Sequence, residues 1–91
     1  GAYNAWSIKT SGYTASSKDQ LIVNSGSAVT ITLPASPSAG DTVIISNAGA
    51  GAVTVGRNSS NINSAAEDGT INQNGSAQLV YVDSTIGWFV I

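Results

Sequence analysis

Gln78-Leu79-Val80-Tyr81-Val82-Asp83-Ser84-Thr85-Ile86-Gly87-Trp88-Phe89-Val90-Ile91 reads as two strands joined by a short turn. Leu79 and Tyr81 fall on one face of the first strand, Val80 and Val82 on the other; Trp88 and Val90 oppose Phe89 and Ile91 in the second. An antiparallel strand with one wet face alternates apolar and polar residues. This hairpin is apolar on both faces and so needs two covers. The body of a small domain supplies one, and a neighbouring subunit is the natural second. Tyr81, Trp88, Phe89, Val90 and Ile91 are therefore the candidate subunit interface.

Upstream, Val, Ile and Thr occur in short runs punctuated by Gly, Ser, Asn and Pro, which is the pattern of strands and turns. The expected strands are 5–9, 13–15, 20–24, 28–33, 42–47, 52–56, 70–73, 76–83 and 87–91. The clearest alternation sets Val29, Ile31 and Leu33 against Ala28, Thr30 and Thr32. Pro34 then ends the strand. No window holds a 3.6-residue period, and Ser64–Asp68 is long enough for one helical turn only. Asn47-Ala48-Gly49-Ala50-Gly51, Asn74-Gly75 and the turn from Asp83 to Gly87 each read as hairpin connections, with Gly supplying positive φ. The fold class is all-β: a small antiparallel sandwich or barrel of short strands joined by hairpins. Ala28–Thr32 and Ala52–Val55 look alike, but Val-Thr alternation describes any half-buried strand, so no repeat is read from them.

Composition narrows function mainly by exclusion. Ninety-one residues make one domain. A chain this small is marginally stable without a disulfide, a metal or a partner. There is no Cys and no His, which removes thiol chemistry, the usual general base and the commonest metal ligand. Three cations against five carboxylates cannot make a nucleic-acid footprint or a polybasic membrane patch. No apolar run approaches the roughly 20 residues that a spanning helix needs. Asp19, Asp41 and Asp83 sit beside turn residues, where Asp caps turns, rather than as a catalytic pair. The polar segment 57–68 has only the adjacent carboxylates Glu67 and Asp68, too few for calcium; its asparagines suit backbone capping. Arg57 is expected to pair with Glu67 or Asp68. No catalytic residue, cofactor or metal is expected, and the chain does not read as an enzyme.

Taken in order, Tyr13-Thr14-Ala15-Ser16-Ser17 with Asp19, Val29–Val43, Val53–Asn58, Asn61-Ile62-Asn63, Ala66-Glu67-Asp68, Leu79–Asp83 and Gly87-Trp88 resemble the small β-domains at the C-terminal ends of tailed-bacteriophage fibre and tail proteins, those of marine phages and cyanophages included. The resemblance runs from Tyr13 to Ile91 and carries no catalytic motif. It implies a virion structural and adhesion module: a homotrimer at the distal end of a fibre, extracellular, and in contact with a host-surface glycan. On this reading residues 1–91 are one fibre-tip domain, with 1–12 the end of a preceding shaft and 1–2 a cloning remnant. Receptor contact is expected on the loops 34–40, 48–51 and 58–68, with Ser36, Ser38, Asn58, Asn61 and Asn63 as candidates. The alternative is a monomeric carbohydrate-binding module of a larger secreted protein.

Overall fold

The computed structural model describes residues 5–91, so the expectation for 1–2 lies outside the described residues. Those residues form nine strands and no helix: β1 Ser7–Lys9, β2 Tyr13–Thr14, β3 Asp19–Val23, β4 Val29–Thr32, β5 Thr42–Asn47, β6 Val53–Gly56, β7 Gly69–Ile71, β8 Ser76–Asp83 and β9 Gly87–Val90. Each overlaps one of the strands read from the sequence. They make two sheets, a five-stranded one in the order β1-β3-β5-β8-β9 and a four-stranded one in the order β2-β4-β6-β7.

The pairing corrects the expected antiparallel, hairpin-joined arrangement of the strands, while the all-β sandwich holds. From β1 to β6 the chain alternates between the sheets, and every pairing there is parallel: β1 with β3, β3 with β5, β2 with β4, and β4 with β6. Only β5–β8, β6–β7 and β8–β9 are antiparallel. The first two-thirds of the molecule is therefore a stack of coils. Asp19 lies beside Val43 and Val29 beside Val53, an offset of 24 residues in both sheets. The likeness of Ala28–Thr32 to Ala52–Val55 is this same offset, and the two segments are successive coils.

Two of the three expected hairpin turns consequently join different sheets. Segment 48–51 carries β5 over to β6, and 72–75 carries β7 over to β8. Gly49 and Gly51 have no positive φ. They are glycine because the bend of one coil lies against the bend of the coil before. A Cβ on Gly51 would sit 2.1 Å from the Ser27 carbonyl oxygen, and one on Gly49 2.4 Å from Ser25 backbone atoms. At Asn74-Gly75 only Asn74 is left-handed, with φ 68°. The β8–β9 connection is a true hairpin, and Gly87 there does have φ 73°.

Inward residues of both sheets meet in one core that includes Leu21, Ile31, Leu33, Ile45, Leu79 and Trp88. The alternation read in 28–33 holds, since Ile31 and Leu33 are fully buried. Asn47 is the buried polar residue among them. Its Nδ2 donates to the carbonyls of Gly51 and Ile71, both at 2.9 Å, and its Oδ1 accepts the Gly49 N–H at 3.0 Å. Three backbone groups at the seam between coil and cap thus depend on one side chain.

Candidate interaction surfaces

In β8 and β9 the expected division of faces holds, with the burial divided differently from the expected interface. Tyr81 pairs with Trp88 and Leu79 with Val90 on the inner side, while Val80 pairs with Phe89 on the outer side. Trp88 is completely buried within the chain, edge-on to Tyr81 with ring centroids 5.5 Å apart. Its position in the core means that it cannot be an interface residue, which corrects that expectation. Tyr81 is half-buried against the same core. The remaining three candidates are exposed: Phe89 47%, Val90 37% and Ile91 64%. Of these, Phe89 lies on the outer face, and Ile91 follows it two residues on.

The candidate receptor loops divide between the two ends of the stack. Segments 34–40 and 58–68 share one end, where Asn58 Nδ2 donates to the Leu33 carbonyl at 2.9 Å. Segment 48–51 lies at the opposite end beside 72–75, where Gln73 Nε2 approaches the Ala48 carbonyl at 3.4 Å. No single surface joins all three. Ser36 and Ser38 are exposed, and Ser36 is left-handed with φ 50°. The three asparagines hold the fold together instead of pointing freely outward. Asn61 Nδ2 donates to the Thr85 carbonyl at 3.0 Å, and Asn63 Oδ1 accepts the Val90 N–H at 3.0 Å. Backbone bonds from Trp88 to Asn61 and from Asn63 to Trp88 add to these, so 61–63 runs along β9 and covers its free edge. That use of Asn was legible in the sequence as capping chemistry. The strand edge it caps was not.

The aspartates also close turns, as expected. Asp19 accepts the Ser16 N–H at 2.8 Å, Asp41 the Ser38 N–H at 2.9 Å, and Asp83 the Thr85 and Ile86 N–H groups at 2.9 and 2.7 Å. Asp68 accepts the backbone N–H of Arg57 at 3.0 Å, whereas the guanidinium reaches the Ser60 carbonyl at 3.4 Å. The expected side-chain pairing of Arg57 is thus replaced by a backbone cap. Tyr13 hydroxyl donates to Asp19 at 3.1 Å, and Lys9 Nζ stands 3.7 Å above the Tyr13 ring. The Asp19 hydrogen bond, then its negative charge, push the Tyr13 phenol above its ordinary pKa of 10.0.

A cleft of about 410 Å³ opens between β7 and the β8–β9 hairpin, lined by Val55, Ile62, Ile71, Leu79 and Val90 with Asn, Gln, Ser, Thr, Ala and Gly. Among the described residues no ionisable side chain lines it. Among the described residues no three His, Cys, Asp or Glu side chains converge as a metal would require.

No protein-family model matches the chain, and no curated protein matches it. A solved structure described as a chaperone–substrate complex is similar over 92% of this chain at a TM-score of 0.60 and 18% identity. The region matched is 16% of that chain, so this chain spans a small part of its length. At that identity the likeness is one of fold.

Proposed function

We propose that the chain is a structural and adhesion module of a tailed-phage tail fibre, part of the virion tail, and that it assembles as a homotrimer. The observation that carries the reading is the outer face of the C-terminal hairpin. Phe89 is 47% and Ile91 64% exposed at the end of a strand whose Trp88 is completely buried on the inner face. Clustered apolar surface of this kind, left in water by a domain with little stability to spare, marks a contact surface. The ordered resemblance of 13–91 to fibre-end domains supplies the biological setting. Contact with a neutral host-surface glycan would fall on the exposed end loops, with Ser36 and Ser38 the sequence candidates whose side chains are free of structural duty.

Sedimentation equilibrium at micromolar concentration tests the reading, because the chain weighs 9.1 kDa. A mass about three times that value is expected. A 9.1 kDa species would refute the trimer and favour the carbohydrate-binding module. Purified protein is further expected to slow phage adsorption to cells of a susceptible host. Unchanged adsorption at saturating protein would remove the adhesion role.

A further inference from the structure

Gly75 is the one glycine in the sequence that directly follows an asparagine, Asn74. Such a pair is chemically labile. The backbone nitrogen after an asparagine reaches the side-chain Cγ when the following residue does not crowd it, and glycine has no Cβ to do so. The pair lies in the β7–β8 connection, where the Asn74 side chain is exposed. Asn47, Asn58, Asn61 and Asn63 differ on both counts. Each is followed by a residue with a Cβ, and each has its side-chain amide in a hydrogen bond. Asp68 also precedes a glycine, but its carboxylate has no amine to release and accepts the Arg57 N–H.

The fold holds the pair in a form that does not react. The Gly75 N–H, whose nitrogen is the nucleophile, donates to the Asn72 carbonyl at 2.9 Å. Asn74 is left-handed, with φ 68°. The main chain on either side is pinned to a single residue at the end of β5. Asn74 N–H donates to the Asn47 carbonyl at 2.7 Å, and the Gly75 carbonyl accepts the Asn47 N–H at 2.9 Å. For the Gly75 nitrogen to leave the Asn72 carbonyl and face Asn74 Cγ, the turn must first open. We propose that Asn74 is a site of spontaneous modification gated by opening of this turn, and that its isoaspartate product keeps the turn from closing again. In the opened turn the Gly75 nitrogen bonds to Asn74 Cγ and closes a five-membered succinimide. The Cγ–Nδ2 bond breaks, and the side-chain nitrogen leaves as ammonia with the proton that Gly75 gives up. Water then splits the ring at either carbonyl and leaves aspartate or isoaspartate. One negative charge is added to the net charge of −2. Isoaspartate routes the main chain through Cγ and inserts a methylene between the two groups pinned to Asn47. Their spacing then no longer matches the carbonyl and N–H of one residue, and the turn comes away from β5.

The test follows conversion by mass-spectrometric peptide mapping with an isoaspartate-specific methylation assay, in the native protein and in the same chain unfolded in urea, at mildly alkaline pH. Asn74 is expected to convert first in both states, and roughly tenfold to a thousandfold more slowly in the native one, since a turn opens at free energies well below the global value. Urea added below the unfolding transition is expected to leave the native rate nearly unchanged, because local opening exposes little surface. A native rate equal to the unfolded one would overturn the gate. So would a native rate that climbs with urea as steeply as global stability falls, which would assign the reaction to the unfolded chain. Earlier conversion at another asparagine, or protection of Asn74 beyond a thousandfold, would overturn the site. The isoaspartate form, isolated by ion exchange on its added charge, is expected to melt at a lower temperature than the parent. An unchanged melting temperature would overturn the claim that the turn stays open.

Discussion

Between Ser7 and Gly56 each strand is followed by one in the opposite sheet, and neighbours within a sheet run parallel; from Gly69 onward every pairing between the named strands is antiparallel. In the stacked part β3 and β4 meet β5 and β6 at an offset of 24 residues, and β1 and β2 meet β3 and β4 at offsets of 14 and 18, so each coil is shaped by the coil beneath it. The C-terminal part turns back, places β7 on one sheet and β8 and β9 on the other, and ends the stack. A parallel stack has no internal reason to stop. The antiparallel cap ends it at one side, and 61–63 seals the last edge. At the other side β1 and β2 remain edge strands. Stability in the stack should therefore reside in close backbone approach, and in the cap in a few large side chains.

The harshest test of that division is to remove Trp88 to Ile91. Trp88 is fully buried, and β9 pairs with β8 and the 61–63 segment. Losing a large core side chain costs about 3–5 kcal/mol before the strand is counted, against roughly 5–15 for a whole domain. A chain ending at Gly87 is expected to show no cooperative melting by circular dichroism. A similar melting temperature would mean that the stack stands without its cap.

Gly51→Ala attacks the stack instead. Its added Cβ would lie 2.1 Å from the Ser27 carbonyl oxygen, which is backbone and cannot swing aside. Successive coils must separate, at a cost of about 3 kcal/mol, the upper range for overpacking. Urea unfolding should show this, whereas an alanine tolerated at Gly51 would mean that the coils are not in van der Waals contact at the bend. Asn47→Ala strikes the seam and strands three backbone groups of the coil bend and of β7. Unpaired buried groups cost about 1–3 kcal/mol each, and partial access to water brings the expected total to about 2–3. Asn47→Asp should not rescue it, since the carboxylate cannot donate to Gly51 and Ile71.

How much of this was readable depends on the scale at which the sequence encodes it. All nine strands were, because β-branched alternation and turn residues are local signals. So was the two-sided hairpin, in which Val80 and Phe89 do oppose Leu79 and Trp88. Partner choice was not: a parallel neighbour 24 residues away and a hairpin neighbour leave the same alternation in a strand. Gly49 and Gly51 misled for the same reason, since glycine serves a positive φ and a close backbone approach equally. Of the candidate interface residues, Phe89 is exposed and Trp88 is buried in the core, because alternation gives two faces without saying which one the rest of the domain covers. The asparagines at 58, 61 and 63 were readable as capping residues, but their partners at 33, 85 and 90 lie far along the chain.

Two turns repeat a single design and sharpen the comparison at smaller energies. Ser16–Asp19 and Ser38–Asp41 carry the same reciprocal bonds, with the Asp backbone N–H donating to the Ser carbonyl at 3.1 and 3.0 Å. The residue before each Asp is left-handed: Lys18 at φ 73° and Gly40 at φ 90°. A non-glycine residue there costs about 1–2 kcal/mol. Lys18→Gly is expected to recover about 1 kcal/mol, less the entropy that glycine adds to the unfolded chain. Thermal melting should rise by a few degrees. A fall would mean that Lys18 makes a contribution beyond its backbone.

The smallest effect is expected at the open edge, where Tyr13 closes the side of the first coil. Its hydroxyl donates to Asp19 at 3.1 Å, and this bond, with the Asp19 charge, raises the phenol pKa above 10.0. The unfolded phenol titrates near its ordinary value, so above about pH 10 the folded state holds a proton that the unfolded state has released. Stability from this group is then fully present below pH 10 and falls as pH rises through the elevated folded value. Tyr13→Phe removes the bond while leaving a ring beneath the Lys9 ammonium at 3.7 Å. At neutral pH the variant should lose less than about 1 kcal/mol, the worth of one exposed hydrogen bond. The two proteins differ only in the phenol hydroxyl, so the difference between their stability curves isolates it. That difference should shrink as pH rises above 10 in urea titrations. A difference that stays constant over that range would mean that the Tyr13–Asp19 bond is not formed in solution, and that the first coil is held by β1 and β2 pairing alone.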